Sequence, residues 1–140
     1  MDAYVPPHFG RFKQMAKVYG WEQGHETLTM SRAGFAALMQ ELLAFADFDE
    51  AWYLSTYKDV ADAVAQKKFK SARDHYLNYG YFEGRLPTAK GFDAGYYAKQ
   101  YGDVAKELKG SDPKLLVHHF LTHGYAEGRQ PHAHGAPTRA

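Results

Sequence analysis

The sequence predicts an all-α protein: a compact bundle of short helices built from two tandem repeats behind an N-terminal helical lead-in. Three observations predict it. Residues 48–87 and 92–131 align without a gap at an offset of 44, and 16 of the 40 aligned positions are identical. A duplicated unit of this length implies one small fold used twice and stacked. Each copy opens on Phe-Asp before aromatic residues and closes on Gly-Tyr-x-Glu-Gly-Arg-x-Pro, which are start and stop signals of helices. Ahead of the copies, Phe35, Leu38, Met39, Leu42, Leu43 and Phe45 recur at helical spacing. The expected organisation is a capping segment over 1–47, repeats over 48–87 and 92–131, and a flexible tail over 132–140.

Within the lead-in, Pro6 and Pro7 bar a regular start. A short helix is expected from His8 to Tyr19, with Phe9, Phe12, Met15, Ala16 and Tyr19 on one side and Gly20 ending it. Residues 20–28 have no period and read as a loop. Thr29 or Ser31 caps the next helix, over roughly 31–46. Gly34 costs that helix up to ~1 kcal/mol against alanine, and its small size suits a close approach by another backbone.

Each repeat then starts alike. Asp49 and Asp93 are expected to cap a first helix by accepting free amide protons of its first turn, each worth on the order of 1 kcal/mol. Phe48 with Tyr53, and Phe92 with Tyr97, occupy the positions of a hydrophobic staple. Asp59 and Asp103 are expected to cap a second helix, over 60–66 and 104–109. A third helix follows in each copy. Asp112-Pro113 marks its start over 113–123, and Ser71 is the counterpart candidate in the first copy. Gly80 and Gly124 are expected at its end in the left-handed conformation. Gly84, Gly128 and the prolines at 87 and 131 follow.

Composition narrows the function. The 140 residues contain no cysteine, which excludes disulfide scaffolds, thiolate zinc sites and thiol nucleophiles. Seventeen basic and sixteen acidic side chains leave a formal charge of +1, so no basic field exists for a nucleic-acid backbone. No apolar run is long enough to insert in a membrane. The start, MDAYVPPHFGRFK, lacks the order of a signal peptide. A cytoplasmic location is the default expectation, with cell-surface or particle association by a signal-independent route as the alternative.

Candidate chemistry is sparse. The acidic residues at caps lie in no loop of alternating oxygen ligands, so calcium is not expected. His75 and His119 occupy equivalent positions and read as partly buried rings bonded to backbone. His119 and His123 lie four apart, but Tyr79 replaces the second histidine in the first copy. His132 and His134 fall in the predicted tail. No metal or cofactor is expected. The polar residues recur at caps and turns, and no phosphate loop, HExxH or nucleophile elbow occurs, so the chain is read as a non-enzyme. Arg85 and Arg129 are expected to fork onto carbonyls or carboxylates and clasp one repeat to its neighbour. Ligand contact is the alternative role for both.

The pattern FDxxYY…YxDVA…HYxxxGxxEGRxP resembles short tandem repeats of bacterial secreted and surface proteins, and of proteins with glycosyltransferase or other glycan-related domains. Phe48, Asp49, Tyr53, Tyr57, Asp59, His75, Gly80 and the Glu83-Gly84-Arg85 run carry it in the first copy. Phe92, Asp93, Tyr97, Tyr101, Asp103, His119, Gly124 and Glu127-Gly128-Arg129 carry it in the second. The resemblance covers about 60% of the chain. It departs from the pattern at Trp52, which replaces Tyr, and at Lys58 and Gly102, which replace Pro. It implies association with glycans and supplies no catalytic residue.

With aromatics at 16% of residues and eleven tyrosines, the leading expectation is a binding module for cell-surface polysaccharide. Its tentative contact residues are Trp52, Tyr79, Tyr81 and Arg85 in the first repeat, with Tyr96, Tyr125 and Arg129 in the second. The alternative is a protein–protein adaptor in an oligomer or larger particle.

Overall fold

The computed structural model describes residues 4–133. Residues 1–3 and 134–140, which include His134 and most of the predicted tail, lie outside the described residues. The chain divides into two compact units that part between Ala46 and Asp47. Among the described residues it is all-α: short α-helices, two π-helical turns and no sheet, only an isolated bridge.

The N-terminal unit is a pair of helices. In α1 (Phe9–Ala16), the His8 ring accepts the Gly10 amide proton at 3.1 Å, and left-handed Lys17 ends the helix. The expected continuation to Tyr19, with Gly20 as the stop, does not occur. Tyr19 has to leave the helix to exchange two backbone hydrogen bonds with Thr29, at 2.9 and 3.1 Å. Ser31, and not Thr29, caps α2 (Arg32–Leu43) by accepting the Gly34 amide at 3.0 Å. Gly34 is where α1 meets α2: a Cβ placed there would lie 2.3 Å from the Ala16 methyl.

The C-terminal unit contains α3 (Glu50–Thr56), α4 (Lys58–Ala65) and α5 (Ala72–His75), which runs into a π-turn over Tyr76–Gly80. Then come α6 (Ala94–Gln100), α7 (Gly102–Glu107) and α8 (Pro113–His119), with a second π-turn over Phe120–Gly124. The Asp49 and Asp93 carboxylates accept the Trp52 and Tyr96 amides at 2.9 Å each. The staple rings meet at 5.1 Å for Phe48 and Tyr53, and 5.2 Å for Phe92 and Tyr97. The amides of the same two aspartates donate to the Pro87 and Pro131 carbonyls. Each 40-residue stretch is thereby closed from its first helix to its last residue.

Two expectations about helix ends are corrected. Asp59 and Asp103 are not the N-caps of the second helices, a position that Tyr57 and Tyr101 hold. The second helix starts at Lys58 or Gly102, one residue ahead of the acid, so the single linking tyrosine takes the cap position and the acids fall inside the first turn. Gly80 and Gly124 do not take the left-handed conformation. The chain passes through them in the π-turn, with Tyr81 N–H donating to the Tyr76 carbonyl at 2.9 Å and Tyr125 to Phe120 at 2.8 Å. Termination comes four residues later, at Gly84 (φ 80°) and Gly128 (φ 77°). There the Arg85 and Arg129 amides reach back to the Gly80 and Gly124 carbonyls at 2.9 Å each, a Schellman closure.

Tyr53, Val60, Ala72 and Tyr76 are buried in the first stretch. Tyr97, Val104, Leu116 and Phe120 form the buried cluster of the second, and Leu86 from the first packs against it.

Exposed lysines occupy the left-handed position after α4 and α7: Lys67 at φ 60° and Lys109 at φ 56°. This conformation costs a residue with a Cβ ~1 kcal/mol or more. Lys67→Gly and Lys109→Gly should therefore each stabilise the protein by about 0.5 kcal/mol, net of the freedom glycine gains on unfolding. The check is a Tm rise of a few degrees in thermal unfolding followed by circular dichroism.

Candidate functional site

The densest polar constellation is built twice, once per 40-residue stretch. Cap and staple hold Tyr53 on α3 with its ring fully buried. Ser71, accepting the Asp74 amide at 3.0 Å, starts α5 and sets His75 across from it. The Tyr53 hydroxyl and His75 Nδ1 lie 3.0 Å apart. Tyr97 and His119 repeat this at 2.9 Å. The histidines thus bond to phenols, not to the backbone expected of them, because the capped helices α5 and α8 set each ring opposite the tyrosine of the first helix. Beneath each pair sits a glycine. A Cβ on Gly80 would fall 2.2 Å from the Tyr53 oxygen, and one on Gly124 equally close to that of Tyr97.

The arginines complete the arrangement. Arg85 donates both terminal nitrogens to Asp59, at 2.9 and 2.7 Å, and its guanidinium lies 4.9 Å over the Tyr57 ring. Arg129 forks onto Asp103 at 3.2 and 3.0 Å, donates Nε to Glu127 at 2.6 Å, and lies 4.9 Å over Tyr101. Tyr57 and Tyr101 in turn accept the Leu86 and Gln130 amides at 3.0 and 2.7 Å. The expected clasp between repeats is therefore a clasp within each stretch, since the partner acid lies 26 residues back in the same one. Exposed carboxylates make such pairs weak in free energy, but the planar fork fixes direction.

Burial raises the Tyr53, Tyr76 and Tyr97 phenols well above their ordinary range, so they stay protonated. Burial lowers the His75 imidazole; the Arg85 charge adds to this, and Glu83, with Oε1 3.5 Å from Nε2, opposes it. The Arg85 hydrogen bond holds Asp59 below the usual carboxylate range, and Arg129 does the same for Asp103.

Of the seven tentative contact residues, Tyr125 and Arg129 line one groove. Tyr79 is the exposed one, at 55%, with its ring stacked 6.1 Å from His75. Trp52, Tyr81, Tyr96 and Tyr125 are half-buried. Arg85 and Arg129 keep about a fifth of their side chains open and direct the donors described above to carboxylates. Leu86, Phe92, Phe120, Tyr125 and Arg129 share a groove of about 690 Å³ with the 87–91 linker. His119 and His123 stack at 5.4 Å, and among the described residues no group of three or more His, Cys, Asp or Glu could hold a metal.

Sequence reasoning missed the surface of the N-terminal unit. Phe9, Phe35, Leu42 and Phe45, read as helix-face residues with no cover specified, are 48–60% exposed. Between α1 and α2, a groove of about 450 Å³ is lined by Tyr4, Pro7, Phe9, Phe12, Leu38 and Leu42, among others, and Glu41 is its one charged side chain. The signal was present: 46 residues with two short amphipathic helices have too little chain to cover both apolar faces.

No family model, curated protein or solved structure matches the chain. No helix among the described residues is long and apolar enough to cross a membrane.

Two predictions come from the buried pair. Gly80→Ala should destabilise by about 1–3 kcal/mol, because the new methyl meets the Tyr53 oxygen in a packed interior. Adding Tyr53→Phe, which removes that oxygen, should recover part of the loss, and a double-mutant cycle in urea measures the coupling. The second concerns acid. The unfolded chain protonates His75 near pH 6.5, whereas the folded chain does so only at lower pH. Stability should therefore decline as pH falls below 6.5, until the folded imidazole also takes up a proton. Asp59 and Asp103, with depressed folded values, add a further loss below pH 3.8. Tm measured from about pH 7.5 to 5 should show the first decline, and His75→Gln should flatten it.

Proposed function

We propose that the chain is a non-enzymatic helical adaptor. In this reading residues 48–87 and 92–131 are two copies of one structural unit, and the N-terminal lead-in presents an apolar face to protein. The observation that carries it is the distribution of open apolar side chains. Tyr4, Phe9, Trp21, Phe35, Leu42 and Phe45 of the N-terminal unit are each about half exposed or more, while after residue 46 the large exposed hydrophobics are Tyr79, Phe82 and Leu115. An apolar face of this density on so small a unit is the mark of a contact surface.

Polysaccharide binding through tyrosines and arginines is the second reading. Tyr79, an exposed ring flanked by His75 and Phe69, favours it. So does the resemblance to repeats of glycan-associated bacterial proteins. The arginine geometry weighs the other way: both guanidiniums face acids and a phenol ring within their own stretch, which leaves few donors for sugar hydroxyls.

A glycan array with neutral and uronic polysaccharides, followed by calorimetry, separates the two. The adaptor reading expects no saturable binding and no difference between the wild type and Tyr79→Ala. Saturable binding that Tyr79→Ala weakens by tenfold or more, roughly the loss of one stacking contact, would replace it with the polysaccharide reading.

A further inference from the structure

We infer that the occupant of the N-terminal apolar face is the same face of a second copy of this chain, an inference that rests on the adaptor reading above. The N-terminal unit has almost no interior of its own. Its buried residues are Ala16, Gly20 and Gly34, which are contact points and not a core. Phe35, Leu38, Leu42 and Phe45 follow one another at steps of three and four, so they form a single stripe along α2 and just past its end. Tyr4 closes one end of the groove beside them, with its ring 5.2 Å from Phe45 and its hydroxyl donating to Glu41 at 2.8 Å.

Area and charge both select a second copy. Large side chains span ~150–250 Å² each, so Tyr4, Phe9 and the four stripe residues, about half open, present on the order of 500–600 Å² of apolar surface. A standard-size specific interface buries about 800 Å² per partner, and in homodimers about 65% of the buried area is apolar. The two figures agree. A two-fold interface must also be complementary to itself. Arg11 of α1 and Glu41 of α2 border the same adjoining groove with Pro7 and Phe12. Arg11 and Glu41 are the base and the acid that line this groove, while the Lys13 ammonium, 4.7 Å over the Phe9 ring, is already paired with Glu22; a two-fold axis then allows each Arg11 to meet Glu41 of the second copy. A face carrying a single sign would repel its twin. Two such helix pairs make a four-helix bundle, a small arrangement that covers the apolar stripes of both helices in each copy.

The test is sedimentation of the full chain over a range of concentration. The wild type should sediment as a dimer, twice the 15.8 kDa chain mass, at tens of micromolar. Leu42→Glu should weaken the dimer by ~100-fold, with the helical far-ultraviolet circular dichroism of the folded chain retained. Leu42→Gln serves the same purpose if the charged variant fails to fold. Arg11→Glu should also dissociate the dimer, and the combination Arg11→Glu with Glu41→Arg should restore it. A dimer that survives Leu42→Glu, or a reversal that restores nothing, overturns the inference.

A monomeric wild type also overturns it, and a fluorescent apolar dye, 8-anilinonaphthalene sulfonate, then separates the two levels. If the monomer binds dye and Leu42→Glu abolishes that binding, the face is open for another kind of protein and the adaptor reading stands. If no dye binds and Leu42→Glu unfolds the chain, the face is internal and the adaptor reading falls as well. Co-flotation of the monomer with anionic vesicles would reassign the face to a lipid surface.

Discussion

One hydrogen bond organises each 40-residue stretch: a buried phenol against a histidine ring, seated on a residue that can only be glycine. Everything around it positions those three groups. The aspartate cap and the phenylalanine staple fix the first turn of α3 and α6, which delivers Tyr53 and Tyr97 inward. The serine or aspartate cap fixes α5 and α8, which delivers the histidines. A wide π-turn then carries Gly80 and Gly124 over the previous turn, each close to the phenol, and Gly80 close to the His75 imidazole as well. An ordinary α-turn would stack residue 79, not 80, over His75. A methyl at the glycine would push the hydroxyl away and leave a buried nitrogen without its partner, a penalty larger than the bond's own worth.

The two stretches differ in instructive places. Tyr76 of the first corresponds to Phe120 of the second, and Ala72 to Leu116, all of them buried. The apolar filling changes size and polarity while the phenol, imidazole, glycine, arginine and aspartate stay. Packing tolerates exchanges in which neighbours adjust. A fork onto a carboxylate, or a hydroxyl 2.2 Å from where a Cβ would stand, does not. The arginine is the last step of the same chain of causes. Left-handed Gly84 or Gly128 turns the backbone so that the next side chain points back to an acid 26 residues earlier.

What could be read in the sequence was local. The caps at Asp49, Asp93 and Asp112 and the staple pairs depend on residues a few positions apart, so spacing alone places them. Gly80 was misplaced because a glycine at the end of an apolar run, followed by another glycine and a proline, reads as a terminator. Its real constraint comes from Tyr53, 27 residues away, and no local pattern carries that. Asp59 before Val-Ala reads as a cap for the same reason, and its partner is found only when the chain folds back. In the lead-in, the periodicity of Phe35, Leu38 and Leu42 was legible, but periodicity reports that a face is apolar and is silent on what covers it.

This asymmetry bears on where function lies. Within 48–131 the tyrosines at 53, 57, 97 and 101 have hydrogen-bond partners for their hydroxyls, and both arginines face acids. These groups answer one another, and the unit closes its own core without help. The N-terminal unit is the opposite case. Its rings meet edge to face, as Phe9 does Trp21 at 5.2 Å, yet stay half open. Ordering the backbone of a segment this short costs on the order of 1 kcal/mol or more per residue, and two helices touching at Ala16 and Gly34 return little of it. Covering the apolar stripe would add stabilisation that the two helices do not supply for themselves, so the face that is left open is also the place where a partner has most to contribute.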